Sequence, residues 1–228
     1  MVVEETITVT ETASIPKQRS ELLLDHAVRY TEERHWDVFA GTWLEHADGR
    51  EFCSCGAADC PAPGAHPAVQ EWATLATGSA VRVRQVWGKR PEASILLPTG
   101  RTFDALDVPD TAGFLALARL ERMERTLGPV MLTPDHRMLF FVLPGASAKV
   151  PDMVRRYGWS PAAIDLRVRG EGEYVAAPPT RFGGRGSVQW ARRPTPANRW
   201  LPDAEELIDA LAYACGREAA AERAARRP

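Results

Sequence analysis

SILLPTGRTFDALDVPD, residues 94–110, holds two apolar runs separated by a glycine turn, with acids at Asp104, Asp107 and Asp110. Successive side chains of a strand point to opposite faces, so Asp107 shares a face with position 109 while Asp104 lies across the sheet. A bulge, common beside active sites, would bring Asp104 next to Asp107. In the alternative, Asp107 hydrogen-bonds a turn and Asp110 or Thr111 caps the helix that follows. The difference matters because two-metal phosphoryl transfer needs carboxylates aimed at one point, where hard cations can bridge phosphate oxygens.

Downstream, AGFLALARLERMERTLG reads as a helix with Phe114, Leu117, Leu120 and Met123 on its apolar face, stopped at Gly128. The strands PVMLT and RMLFFVLPG follow, joined by PDH, completing a unit of strand, helix and strand. A short helix PDMVRRYGW, strands over 162–168 and 173–177, the turn PPTRFGGRG, the strand SVQWAR and the helix DAEELIDALAYAC with a charged extension complete the chain. Upstream, Ser20 is a cap candidate for a helix whose Leu23, Ala27 and Tyr30 are spaced for one face. WDVFAG reads as a buried strand, DGREFCSCGAADCPAPGAHP as a loop, and PAVQEWATLA and SAVRVRQVWGK as helices. This order predicts a mixed α/β or α+β fold. Residues 1–19 read as a flexible arm, 20–200 as the main domain and 201–228 as a C-terminal helical segment.

The chain has 228 residues, 45% of them hydrophobic, enough for a real core. Its net charge of −2 conceals an asymmetry: residues 1–80 hold 5 basic and 13 acidic side chains, residues 81–200 hold 19 and 11. A local positive field can therefore form on one face without an overall basic charge. No apolar run is long enough to span a membrane, and the first residues carry acids where a signal peptide carries bases, so a cytoplasmic location is expected.

Cys53, Cys55, Cys60 and His66 lie within the loop 51–67 as C-x-C-x4-C-x5-H. Three thiolates and an imidazole make a tetrahedral zinc set, and four protein ligands leave no position for substrate, so the ion would be structural. His46 is an alternative ligand, and Cys215 reads as a buried thiol. Thr99, Gly100 and Arg101 could wrap a phosphate, although the turn is too short for a P-loop. Basic residues including Arg181, Arg185, Arg192 and Arg193 recur near Trp87, Phe182 and Trp190, a combination able to grip a backbone and stack bases. Of these, Arg181 and Arg185 flank a Gly-Gly pair and are the expected surface contacts, whereas Trp87 and Trp190 read as core.

Taken together, LPTG at 97–100, LDVP at 106–109, Thr133-Pro134, Asp165 and the string Gly172, Tyr174, Val175, Pro178, Pro179, Thr180 resemble the primase-polymerase domain of bifunctional DNA primase/polymerases, in the archaeo-eukaryotic primase superfamily. The resemblance covers roughly residues 20–200, and PGAHP at 63–67 is similar to the end of a cysteine loop found in some members. It implies an α/β unit combined with an RRM-like mixed sheet, flanking helices and a zinc-binding loop. It also implies Mg2+ or Mn2+ held by acids, and a strand histidine on the nucleotide phosphates. Asp107 takes the place of the first acid and Asp165 that of the third, but the second falls on Pro109 and the histidine on Leu139. His136 is then the only nearby replacement, from a probable turn position.

Three functional readings follow. In the first the chain binds nucleotide or nucleic acid, with DNA primase/polymerase activity weak or lost. In the second the same scaffold is a non-enzymatic regulatory protein that docks partners through its C-terminal helices. In the third an active, divalent-metal-dependent primase/polymerase uses Asp104, Asp107 and Asp165, with His136 displaced.

Overall fold

The computed structural model describes residues 14–47 and 49–225. Its elements in chain order are α1 (Ser14–Arg34), β1 (Phe39–Ala40), β2 (Leu44–Ala47), β3 (Arg50–Cys53), α2 (Ala80–Lys89), β4 (Ile95–Pro98), β5 (Asp104–Pro109), α3 (Asp110–Arg122), β6 (Val130–Thr133), β7 (Arg137–Val142), α4 (Ala146–Arg156), β8 (Arg167–Arg169), β9 (Tyr174–Ala176), β10 (Gln189–Arg192) and α5 (Glu205–Ala225). Helix α1 takes in the last part of the segment expected to be an arm; residues 1–13 lie outside the described residues.

A five-stranded sheet of order β10-β6-β7-β5-β8 organises the molecule. Every neighbouring pair in it is antiparallel, and the strand-helix-strand unit β5-α3-β6 is split by β7 lying between its two strands. With α4 and β8 added, this is the β-α-β-β-α-β arrangement of RRM-like and ferredoxin-like sheets. Strand β5 has neighbours on both sides and buried side chains on both faces, which is why its apolar residues are nearly continuous.

The period of two along β5 assigns the two cores. Leu106 and Val108 face α3, α4 and α5, where Ala112, Ala116 and Leu120 of α3 meet Ile208 and Leu211 of α5. Ala105 faces the other way, into a core with Trp36, Phe103 and Phe141 that α1, α2 and a three-stranded sheet β1-β4-β9 cover. Helix α3 buries only part of the face its large residues suggested, with Leu120 buried and Leu117 packed against the core. Phe114 and Met123 are exposed, because Gly113 brings the helix so close to β7 that an added Cβ would stand 2.7 Å from Met138.

Several local readings change. The cysteine loop opens with a hairpin, β2 paired antiparallel with β3, whose sequence signal is Asp48-Gly49. PAVQEWATLA forms only a 3-10 turn, Trp72–Leu75, with no fully buried residue to hold a longer helix. The strand expected over 162–168 is a 3-10 turn at Pro161–Ala163 followed by β8, which leaves Asp165 in the connecting segment. Finally, α5 is part of the helix-side core through Leu207, Ile208, Leu211 and Cys215 and is not a free docking arm. No described helix is long and apolar enough to cross a membrane.

Candidate active site and metal loop

Register sets the site. Asp107 lies opposite Leu139 on β7 and Arg167 on β8, while Pro109 lies opposite Arg137. Alternation therefore puts Asp107, Arg137, Leu139, Arg167 and Arg169 on one face of the sheet. Asp107 is buried between two guanidinium groups: Arg137 Nε donates to Oδ1 at 2.6 Å and Arg169 Nε to Oδ2 at 2.9 Å. Arg137 also donates from Nη2 to the Asp107 carbonyl at 3.2 Å and to Asp165 Oδ1 at 3.2 Å, so one side chain joins both acids. Arg167 reaches the same Asp165 oxygen at 3.1 Å, and Glu173 pairs with Arg169 at 3.2 Å.

The titrations follow from these contacts. Burial pushes the Asp165 carboxyl up, but the hydrogen bond and charge of Arg137, helped by Arg167, hold it below the ordinary aspartate range. Burial also works against the Arg137 cation, yet Asp165 and Asp107 keep its pKa above the usual value.

Asp104 does not join the pair. With β5 regular, its side chain points to the helix face, where Oδ2 accepts from the amides of Gly145 and Ala146 at 3.0 and 2.8 Å. It caps α4 from a neighbouring strand, and burial raises its pKa despite those bonds. His136 does not swing inward either: it occupies the β6–β7 turn with φ 62°, and its exposed ring pairs with Asp110 at 3.0 Å. The position where the resemblance implies a histidine is Leu139, buried beside Asp107.

The residues thus do not fit a two-metal centre. Both oxygens of Asp107 are taken by guanidinium groups, the second acid is Pro109, and Asp104 is on the far face. A cavity of about 280 Å3 opens above Asp107, with Trp72, Tyr174 and Phe182 in its walls. Its charged lining is Arg137 and Arg169 against Asp107, Asp135 and Glu173, so it has no surplus positive charge for phosphates.

The groups of the glycine turn that could wrap a phosphate have partners within the protein. Thr99 N donates to Glu173 O at 3.0 Å, Gly100 N to Phe103 O at 2.8 Å, and Arg101 pairs with Asp37 at 3.3 Å. Gly100, at φ 95°, lies so close to the β8–β9 connection that an added Cβ would be 2.3 Å from Glu171 Cα. Arg181 and Arg185 are likewise engaged: Arg181 pairs with Glu51 at 2.6 Å and Arg185 donates to Pro61 O at 2.9 Å. Both tie their loop to the cysteine loop. Trp87 is buried as expected, and Trp190 packs against Tyr30, Trp36 and Phe141.

The cysteine loop does fit a metal. Ligand atoms of Cys53, Cys55, Cys60 and His66 all lie within 4.8 Å of one another. His66 Nδ1 is 2.9 Å from Pro67 O, a bond that leaves Nε2 facing Cys53 Sγ at 3.3 Å. His46 is not among them; it pairs with Glu51 at 2.8 Å. Burial works against the Cys53 thiolate, but the amides of Cys55 and Gly64 bring it down to about 6. Cys60 is pushed up to about 11 by burial and by the neighbouring Cys53 and Cys55 sulfurs, so a cation is what would let the thiolates coexist. The loop is anchored where Gly41 approaches Ser94 and His66 O, too closely for a side chain, and where Thr42 N donates to His66 O at 2.8 Å. Ala62 and Ala65 of the loop form one wall of the cavity, and Gly183 N bonds Pro63 O at 2.9 Å to hold the Phe182 wall against it.

No motif in the sequence marks the clamp; its one signal is that Arg137 is two residues from Leu139 and so shares its face. No curated protein matches the chain in sequence. Residues 27–200 match the family described as "Bifunctional DNA primase/polymerase, N-terminal", and the RRM-like sheet carrying Asp107 at its centre is consistent with that match. The chain belongs to the bifunctional DNA primase/polymerase N-terminal (Prim-Pol) family.

Proposed function

We propose that this protein is a primase-polymerase-like member that binds nucleotide or nucleic acid and has weak or no nucleotidyl-transfer activity. The observation that carries this reading is the Arg137 guanidinium bridging Asp107 and Asp165. It supplies the positive charge that a divalent ion would otherwise bring, and it uses the oxygens such an ion would need. The paired cations and carboxylates make a stable ion-pair network in place of a site with exchangeable metal.

In the cysteine loop, Cys53, Cys55, Cys60 and His66 would hold a structural zinc ion, whose contribution is folding free energy. The docking of that loop against the Phe182 loop makes it a scaffold for the cavity.

Primer extension and de novo primer synthesis with Mg2+ or Mn2+ test the catalytic part. No templated incorporation above background is expected. Incorporation that vanishes in Asp107→Ala and Asp165→Ala would overturn it and return Asp107 and Asp165 to the role of metal ligands.

A further inference from the structure

The cavity lacks surplus positive charge, so a different surface has to hold phosphates. One is formed where the segment after β10 runs beside α1. Arg199 Nη2 lies 3.0 Å from His35 Nε2, at the end of α1. Arg199 is also within electrostatic reach of Arg34, and at the other end of the segment Arg193 and Arg29 both act on His26. Four arginines, Arg29, Arg34, Arg193 and Arg199, thus follow α1 from His26 to Arg34, about 12 Å at 1.5 Å per residue. The carboxylates acting on His26 and Arg34 are Asp25 and Glu33, two against the four arginines.

The segment is held firmly. Asn198 is buried, accepts from Thr195 N at 2.6 Å and donates to Arg193 O at 2.9 Å, and Leu143 N bonds Pro202 O at 2.9 Å just beyond. Next to Arg199, Trp200 is 82% exposed, whereas Trp36 and Trp87 are 5% and 1% exposed. A large aromatic ring displayed on a stiff loop beside guanidinium groups is the combination that tracks a sugar-phosphate backbone and stacks unpaired bases.

We infer that the strip formed by Arg29, Arg34, Arg193 and Arg199, with Trp200 at its end, binds single-stranded nucleic acid at a place separate from the Asp107 cavity. This rests on the reading that the protein retains nucleic-acid binding. The experiment is fluorescence anisotropy of a labelled oligo-dT from 50 to 200 mM salt, with the full chain and its metal in place. Arg193→Glu/Arg199→Glu should weaken binding at least tenfold and lower the log–log salt slope by about 1.4, at about 0.7 per phosphate contact on a single strand. Trp200→Ala should weaken it roughly tenfold, and a duplex of the same sequence should bind the wild type less tightly. These side chains are exposed, so unchanged thermal unfolding would show that the variants fold; Arg125→Glu, on another exposed position, should bind like the wild type. If wild type binds and the strip variants bind equally well, the strip assignment fails while nucleic-acid binding stands. If wild type does not bind, both fail. Equal binding of duplex would overturn the single-strand assignment.

Discussion

Asp104 and Asp107 are three residues apart on one strand and perform unrelated tasks. Asp104 accepts two amides at the start of α4, both of which would be left without that partner in Asp104→Ala. Loss of a buried cap of this kind costs about 2 kcal/mol, to be read from urea denaturation at neutral pH. Asp107 and Asp165 share Arg137, and Arg137→Ala should cost about 3 kcal/mol because the buried Asp107 loses one of its two cations. Asp165 gives the pH signature. Its folded pKa is depressed, so its contribution is present above the ordinary aspartate value of about 3.9 and disappears as pH falls through the lower folded value. Asp165→Asn should therefore flatten the acid limb of a plot of urea midpoint against pH, and an unchanged limb would deny the ion pair its role. The opposite faces of Asp104 and Asp107 were legible from the period of two alone. The clamp was not, because it joins Asp107 to arginines 30 and 62 residues away through strand register.

Strands are legible where both faces are buried, as in β4, β5, β6 and β7, since a continuous apolar run bounded by turns has few other uses. The cysteine loop is legible as chemistry and much less so as structure. Its ligand spacing survives any backbone path, but its hairpin depends on the pairing of Leu44–Ala47 with Arg50–Cys53, which composition hides. The apolar face of α3 is only partly legible for a related reason: beside Leu120, close packing selects Ala112, Gly113 and Ala116 over the larger Phe114. Because the loop supports the cavity through Pro61 and Pro63, losing a metal should be felt beyond its ligands. Stripping it with a chelator should lower the melting temperature and speed amide exchange at Gly64 and Gly183, with recovery on adding zinc. Exchange that changes at Gly64 alone would show that the two loops are not coupled.

At the scale of the molecule, the five-stranded sheet separates two cores, and the helix-side core is completed by α5. Both the family match and the expected domain boundary end at residue 200, before that helix begins. The helix itself is legible in the sequence, but the depth of its burial is not, because a helix stripe looks the same against its own domain or a partner. Leu207, Ile208 and Leu211 are at most 1% exposed, and α5 packs against both α3 and α4. At about 1.5–3 kcal/mol for each fully buried large aliphatic side chain, these three alone contribute about 5–9 kcal/mol. That is comparable with the whole stability of an ordinary domain, about 5–15 kcal/mol. A chain cut after Trp200 would also uncover Leu106, Val108 and Leu120 on the sheet and α3. Residues 1–200 alone should therefore lose cooperative urea unfolding and near-ultraviolet circular dichroism while keeping part of their secondary structure, and should bind a dye for exposed apolar surface. Supplying α5 as a separate peptide should restore some of the cooperativity, because the groove it fills is built by the rest of the fold. Cooperative unfolding of 1–200 at the full-length midpoint would mean that α5 is an appendage, free to dock elsewhere, and would revive the partner-binding reading that its burial now argues against.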